Sequence, residues 1–303
     1  MLEAGKKRHV KCRFSETRTE PTMPQSMNHE TPMRASRLVI EDGIAAFSHQ
    51  SPAVRNALST ELMKDYCDLL DRIGADRSIR VLILTGSDGS FCAGGDITAM
   101  RDRLLSADPE VTSPDYMRRR IEFAQGMLAR LRALDIPVIA AVDGAAYGAG
   151  FGLALQADFV LASQRAAFSM SFARVGAVPD FGAAYTLPRI VGMARAKEIV
   201  LTARRIDAGE GVALGFVHSI HAADDLLPQA WAMARKLAGG PREAFGLAKR
   251  MLNASFESDY ATAATLEACA QAVCMNSAYH REAATRFANG EGLRYDWDRN
   301  SAR

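Results

Sequence analysis

The chain has 303 residues, with 37 Lys+Arg against 35 Asp+Glu, 48% hydrophobic residues and 24% charged ones. These proportions exclude a wholly disordered chain, and the length allows one large domain or two small ones. No stretch approaches the roughly 20 unbroken apolar residues of a membrane span; the longest apolar run, Val138 to Val142, has strand length.

Charge is spread unevenly. Residues 1–36 hold seven Lys/Arg and four Glu, leaving 30 basic and 31 acidic residues in 37–303. The near-neutral remainder gives no basic face for nucleic acid, so no nucleic-acid partner is expected. Residues 1–36 also lack an apolar period and the apolar core of a secretory signal. Glu3, Glu16, Glu20 and Glu30 argue against a mitochondrial presequence. The segment reads as a disordered basic tail, and deletion of residues 1–30 is expected to leave folding and activity unchanged. Five cysteines, odd in number and without CxxC spacing, read as free thiols in a reducing compartment, here the cytoplasm, with no metal site.

From Arg37 the pattern changes. Leu38-Val39-Ile40, Glu41-Asp42-Gly43 and Ile44 to Phe47 predict a hairpin turning at the Asp-Gly pair. Ser59 is placed to cap a helix in which Leu58, Leu62, Tyr66, Leu69, Leu70 and Ile73 recur near 3.6 residues, ended by Gly74. Val81 to Thr85 reads as a strand buried on both faces, followed by a loop through Gly86, Gly89, Gly94 and Gly95. A polar, mobile stretch is expected near 101–115, then a helix on the stripe Met117, Ile121, Ala124, Leu128 and Leu131. Pro137 to Val142 is a second buried strand, again followed by glycines, and Phe159 to Ala162 a third. Beyond Gly182 the chain turns helical, with Asp207 a cap before Leu214-Gly215 and long helices over about 223–288. The order predicts an α/β core over 37–222 and a helical region over 223–303.

Two strand-to-helix junctions carry the glycines, Phe91-Cys92-Ala93-Gly94-Gly95-Asp96 and Asp143-Gly144-Ala145-Ala146-Tyr147-Gly148-Ala149-Gly150. Two backbone N–H groups converging there on one oxygen make an oxyanion hole; otherwise the glycines only permit tight turns. Neither loop matches a dinucleotide or P-loop pattern. His49, His218 and His221 show no triad spacing, Cys92 has apolar neighbours, Asp158 stands at a strand start, and Arg118-Arg119-Arg120 reads as a solvated helix face.

Over about residues 37–295 the sequence resembles the crotonase family, the enoyl-CoA hydratase/isomerase superfamily. The resemblance rests on Pro52 to Leu58, Phe91 to Ile97, Pro137 to Gly152, Val175 to Asp180, Leu187 to Gly192 and Glu210 to Val217. It implies a ClpP/crotonase-like fold of repeated ββα units with a C-terminal helical trimerisation region, assembling as a homotrimer or hexamer. It also implies an acyl-CoA substrate, CoA arriving as part of the substrate and no separate cofactor. By the same match the oxyanion donors are the N–H groups of Gly95 and Ala149. Ala53, Val54, Arg55, Ala93, Asp96, Ile97, Gly148 and Pro179 line the substrate and CoA site. The family's C-terminal CoA-contacting Lys falls on Gly290, with Arg286 or Arg294 as substitutes.

The two glutamates of a typical hydratase fall on Gly152 and Phe172, neither of which transfers protons. Asp180 matches the position where isomerases of the family carry an acid/base Asp, which implies a double-bond isomerase working through a thioester enolate. The alternatives are a hydratase or hydrolase using other groups, or a non-catalytic acyl-CoA or RNA-binding scaffold. Asp180 is also readable as a turn residue capping the next helix.

Overall fold

The computed structural model describes residues 29–298. Strands β1 (His29–Pro32), β2 (Ser36–Glu41) and β3 (Ile44–His49) form an antiparallel meander. The β2–β3 turn is the Asp-Gly pair: Asp42 and Gly43 sit at φ 50° and 75°, the double left-handed step that suits the twist of a hairpin. Helix α1 (Thr60–Ala75) begins where Ser59 Oγ accepts the Leu62 N–H at 3.0 Å. It passes through Gly74 to Ala75 instead of ending at the glycine. A glycine in an exposed last turn weakens a helix by about 1 kcal/mol, too little to stop one whose inner face, Tyr66, Leu69, Leu70 and Ile73, is buried.

The chain then repeats a strand–strand–helix unit. Strands β4 (Val81–Thr85) and β5 (Ser90–Cys92) precede α2 (Ile97–Leu104), α3 (Pro109–Thr112) and α4 (Pro114–Arg132). The stretch expected to be mobile is therefore helical, capped by Asp96, Asp108 and Ser113. Strands β6 (Val138–Val142) and β7 (Ala145–Tyr147) precede α5 (Ala149–Ala154). Strands β8 (Phe159–Ser163) and β9 (Ala167–Ser169) precede α6 (Ala183–Val191) and α7 (Met193–Thr202). Strand β10 (Ile206–Asp207), helix α8 (Ala208–Ala213) and strand β11 (Ser219–His221) follow. Helices α9 (Ala223–Ala238), α10 (Arg242–Ala254), α11 (Tyr260–Met275) and α12 (Ala278–Ala288) complete the described chain.

The first strand of each unit joins a seven-stranded sheet, ordered β1-β2-β3-β4-β6-β8-β11 and parallel from β3 onward. The second joins a four-stranded sheet, β10-β9-β7-β5. Strand alternation divides the core. Leu82, Leu84, Val138, Ala140 and Val142 pack toward the small sheet and α1, while Val81, Ile83, Ile139 and Ala141 pack under Leu226, Ala230, Met233 and Leu237 of α9. Helix α9 is thus a layer of the core, and the boundary expected at 222/223 falls inside a packed unit. Among the helices beyond it, α10 is fastened by polar contacts. Buried Arg242 donates to Asp135 and to the carbonyls of Arg77 and Ile79, and Lys249 reaches Asp158 and the Ile136 carbonyl.

The N-terminal boundary also moves. Residues 29–36, assigned to the tail, are part of the fold: β1 pairs with β2, and the following turn is held by Asp65. Its fully buried carboxylate accepts the N–H groups of Arg34 and Ala35, the Ser36 hydroxyl and the Arg34 guanidinium. Residues 1–28 lie outside the described residues. Asp65→Ala leaves the Ala35 N–H and the Ser36 hydroxyl buried without partners, a loss of about 3 kcal/mol. Urea unfolding should read that loss; a change under about 1 kcal/mol would mean that the N-terminal turn contributes little to the fold.

Candidate active site

The segment that precedes α1 is tied to the first glycine loop by a buried asparagine. Pro52–Val54 form a single 3-10 turn, after which Arg55 and Asn56 take left-handed backbones at φ 51° and 56°. Asn is among the few non-glycine residues that accept this conformation readily. The Asn56 amide donates to the carbonyls of Ser87 (3.0 Å) and Ser90 (2.7 Å), and its Oδ1 accepts the Ser51 N–H. The Arg55 carbonyl accepts the Ala93 N–H, and the Leu58 N–H donates to the Gly94 carbonyl. These bonds bring exposed Ala53, Val54 and Arg55 alongside Ala93 and Gly94. Asn56 is a positioning residue that sequence reasoning left without a role; the left-handed tolerance of Asn beside Arg55 was the available signal.

The two glycine junctions meet. A methyl group on Gly94 would lie 2.6 Å from the Tyr147 carbonyl oxygen and 3.6 Å from the Ala149 nitrogen. Gly148 holds φ 51° with ψ −120°, a backbone open only to glycine, and its N–H donates to the Ser169 carbonyl. Among the described residues no acceptor meets the Gly95 N–H or the Ala149 N–H. Ala149 is the first residue of α5, so its N–H has no partner within the helix. The junctions therefore leave two backbone N–H groups without acceptors on adjoining loops. Asp96 is spent locally: its side chain caps α2 on the Ala99 N–H at 3.0 Å. Ile97 is exposed, and the Met100 side chain folds over Gly95.

Asp180 is not a side-chain cap. Its carbonyl accepts the Ala183 N–H at 2.9 Å across a turn in which Phe181 and Gly182 sit at φ 49° and 71°, and Gly182 is the α6 N-cap. The Asp180 carboxyl oxygen Oδ1 is buried without a partner. Burial pushes the carboxyl up to about 6, against a smaller lowering by its own backbone. Pro179 beside it is half-buried. The turn rests on α5: a side chain starting at Gly152 would meet Phe181 Cβ and its carbonyl oxygen at 3.0 Å and the Asp180 oxygen at 3.3 Å. Gly152 lies one helical turn from Ala149, so Asp180 and the second N–H donor flank the same short helix. Phe172 is buried, with its ring edge 3.8 Å from where a Gly148 side chain would begin.

The other reactive side chains are engaged structurally. His49 is fully buried between the Phe91 carbonyl (2.8 Å) and the Tyr66 hydroxyl (2.7 Å), and desolvation lowers it to about 4, leaving it neutral at pH 7. His218 packs edge-on against Phe159, and His221 bonds Ser219 Oγ. Burial holds the Cys92 thiol at about 12, an inert group. Asp158 accepts the Val138 N–H and the Lys249 ammonium. Arg118 and Arg119 pair with Asp115, Glu122 and Glu110 on the α3–α4 surface. Arg286 and Arg294, the substitutes for a CoA-contacting Lys, bond within their own segment, to the Gly292 carbonyl and to Glu282. Among the described residues no group of three His, Cys, Asp or Glu is arranged to hold a metal ion, and no helix is long and apolar enough to cross a membrane.

The arrangement has relatives. Residues 39–299 match the family model described as enoyl-CoA hydratase/isomerase. The chain is 33% identical over 248 residues to the 1,2-epoxyphenylacetyl-CoA isomerase of Escherichia coli, covering 82% of this chain and 93% of that one. It is also 33% identical over 251 residues to the crotonyl-CoA hydratase of Syntrophomonas wolfei, covering 82% and 92%. Its structure resembles that of an enoyl-CoA hydratase/isomerase from Cupriavidus metallidurans, with TM-score 0.82 and 37% identity over 88% of this chain and 97% of that one. With the paired sheets and the two glycine junctions, these matches assign the chain to the enoyl-CoA hydratase/isomerase family, the crotonase fold.

Proposed function

We propose that this enzyme moves a double bond in an acyl-CoA thioester, with Asp180 as the acid/base and the Gly95 and Ala149 N–H groups holding the thioester oxygen. The observation that carries the reading is the buried, unpartnered Oδ1 of Asp180, in a turn whose backbone packs on Gly152, one turn of α5 from Ala149. Asp180 removes a proton from the α or γ carbon. The C–H electron pair moves into the acyl group, and the thioester oxygen becomes an enolate oxygen on the two donors. The neutral Asp180 carboxyl then returns the proton to the other end of the conjugated system, and the double bond has moved. A carboxyl poised at about 6 can both take and return a proton near neutral pH. The reaction is redox-neutral, so the only CoA it calls for is the one the substrate carries.

Water addition by two carboxylates is disfavoured on steric grounds as well as chemical ones. Position 172 holds a buried Phe, and position 152 has the Asp180 turn packed where a Glu side chain would extend. The name of the Escherichia coli relative, an isomerase of 1,2-epoxyphenylacetyl-CoA, supports isomerisation of an acyl-CoA as the reaction class. The hydratase name of the Syntrophomonas relative, equally similar, makes hydration the rival. A panel of enoyl-, dienoyl- and aryl-epoxy-CoA thioesters assayed separately for isomerisation and hydration decides between them. Isomerisation should dominate; hydration as the faster reaction would overturn the proposal.

Asp180→Asn keeps the shape and removes the base, so kcat should fall about 10²–10⁴-fold with acyl-CoA binding nearly unchanged. Near-wild-type turnover would reduce Asp180 to a turn residue. In the wild type the acid limb of kcat/KM should fall near pH 6, since below it the base is protonated. Stability should move the other way. A carboxyl raised in the folded state disfavours folding above about pH 6 and ceases to do so below its unfolded value near 4. Asp180→Asn should therefore raise the melting temperature at pH 8 and leave it unchanged at pH 4; equal effects at both would contradict the burial of this charge.

Self-association as a trimer or hexamer is proposed on the C-terminal helices. Helix α11 is apolar yet buries only Ala270, and Leu252, Phe256, Leu266, Val273 and Phe287 are exposed around it. A groove of about 620 Å³ runs between α10 and α11, lined by Leu247, Met251 and Ala268 among others. Apolar surface of this extent is what an interface covers. Light scattering at micromolar concentration should give a trimer or hexamer mass; a monomer would contradict it.

A further inference from the structure

We propose that Gln156 is the positioning residue that fixes the Asp180 turn to α5, and so sets the distance between the proton-transfer carboxyl and the Ala149 N–H. The inference rests on Asp180 being the acid/base. Gln156 stands at the exit of α5 and is 7% exposed. Its Nε2 donates to the Gly152 carbonyl at 3.1 Å and to the Phe181 carbonyl at 3.2 Å. Both amide hydrogens thus have acceptors, one on the helix and one inside the turn. Among the described residues, the bond to Phe181 is the only hydrogen bond joining residues 149–156 to the turn 180–183. The amide also lies against Gly182, where an added methyl group would come within 2.8 Å of Nε2.

The turn needs such a fastening. Phe181, a bulky residue, is held in a left-handed backbone at φ 49°, a conformation that persists only where the surroundings over-determine it. Asp180 precedes it with carboxyl oxygen Oδ1 buried and unpartnered, so that oxygen contributes no hydrogen bond to holding the turn. Gln156 lies seven positions after Ala149, and α5 with its C-cap Leu155 spans the interval, so one short segment carries the oxygen-holding donor at one end and the clamp at the other. A chain lacking the amide has to seat this turn by packing alone, with two carbonyls left without their donor.

Gln156→Met keeps side-chain length and bulk while removing both donors. Displacement of a reacting group by about 1 Å costs on the order of 10²-fold. The expected result is a kcat lower by about 10–100-fold with KM and acyl-CoA affinity nearly unchanged. The acid limb of kcat/KM should also move below about pH 6, because a loosened turn lets water reach Asp180. Burial is what raises that group, with no charged side chain contributing, so rehydration lowers it. A folded Gln156→Met enzyme with wild-type kcat and an unmoved acid limb overturns the proposal. If that variant does not fold, Gln156→Asn, whose amide is one methylene too short, is measured in the same way; failure of both to fold would assign Gln156 to stability alone and also overturn it. Asp180→Asn run in parallel separates the two readings. An inactive Asp180→Asn beside a fully active Gln156→Met removes only the Gln156 inference, whereas an active Asp180→Asn removes the acid/base assignment on which it rests.

Discussion

Backbone packs directly on backbone where the two glycine junctions meet, and much of the molecule follows from that contact. The Gly94 α-carbon faces the Tyr147 carbonyl, and Gly150 faces the Cys92 carbonyl so closely that no side chain fits at either position. Only a split sheet delivers this. Because each unit sends one strand to the large sheet and the next to the small one, β5 and β7 run parallel as neighbours and their exits emerge side by side. Two main-chain N–H groups are left without acceptors at the place where a thioester oxygen is proposed to sit. Backbone donors fixed in this way need no reorganisation as charge develops.

The loops around that contact are held mainly by buried side chains bonded to main chain. Asn56 ties the segment before α1 to the first glycine loop, Asp65 ties down the N-terminal turn, and Arg242 with Lys249 fastens α10 under the sheet. Each satisfies several backbone groups that would otherwise be buried without partners, an omission costing about 1–3 kcal/mol apiece. The pattern suits a fold whose irregular segments must be rigid, since irregular backbone cannot satisfy itself as a helix or ladder does.

Asp180 departs from this economy of satisfied groups. A buried carboxyl oxygen without a partner, preceding a left-handed Phe, is unfavourable for stability on both counts. Strain and unsatisfied polarity of this kind concentrate where a group must stay available to a substrate. His49, Cys92 and Asp158, which the sequence offered as reactive types, show the opposite character, being either fully bonded or inert.

Local pattern was enough to determine the hairpin at Asp42-Gly43, the caps at Ser59 and Asp207, and the buried strands at 81–85, 138–142 and 159–163, because turn chemistry, capping and apolar runs act within a few residues. The family motifs also singled out Gly95, Ala149 and Asp180, the residues on which the proposed function rests. What the sequence missed was decided at long range. The short strands β5, β7 and β9 hid in segments read as glycine loops or passed over, since three-residue strands form only against one another. The docking of residues 29–36 depends on Asp65, about 30 positions away, and the place of α9 in the core depends on strands far earlier in the chain. Tertiary structure alone decided that a side chain at Gly152 would press on the Asp180 turn and that Gln156 reaches that turn. Both depend on how closely α5 and residues 180–183 approach, and such a distance leaves no periodic trace in sequence.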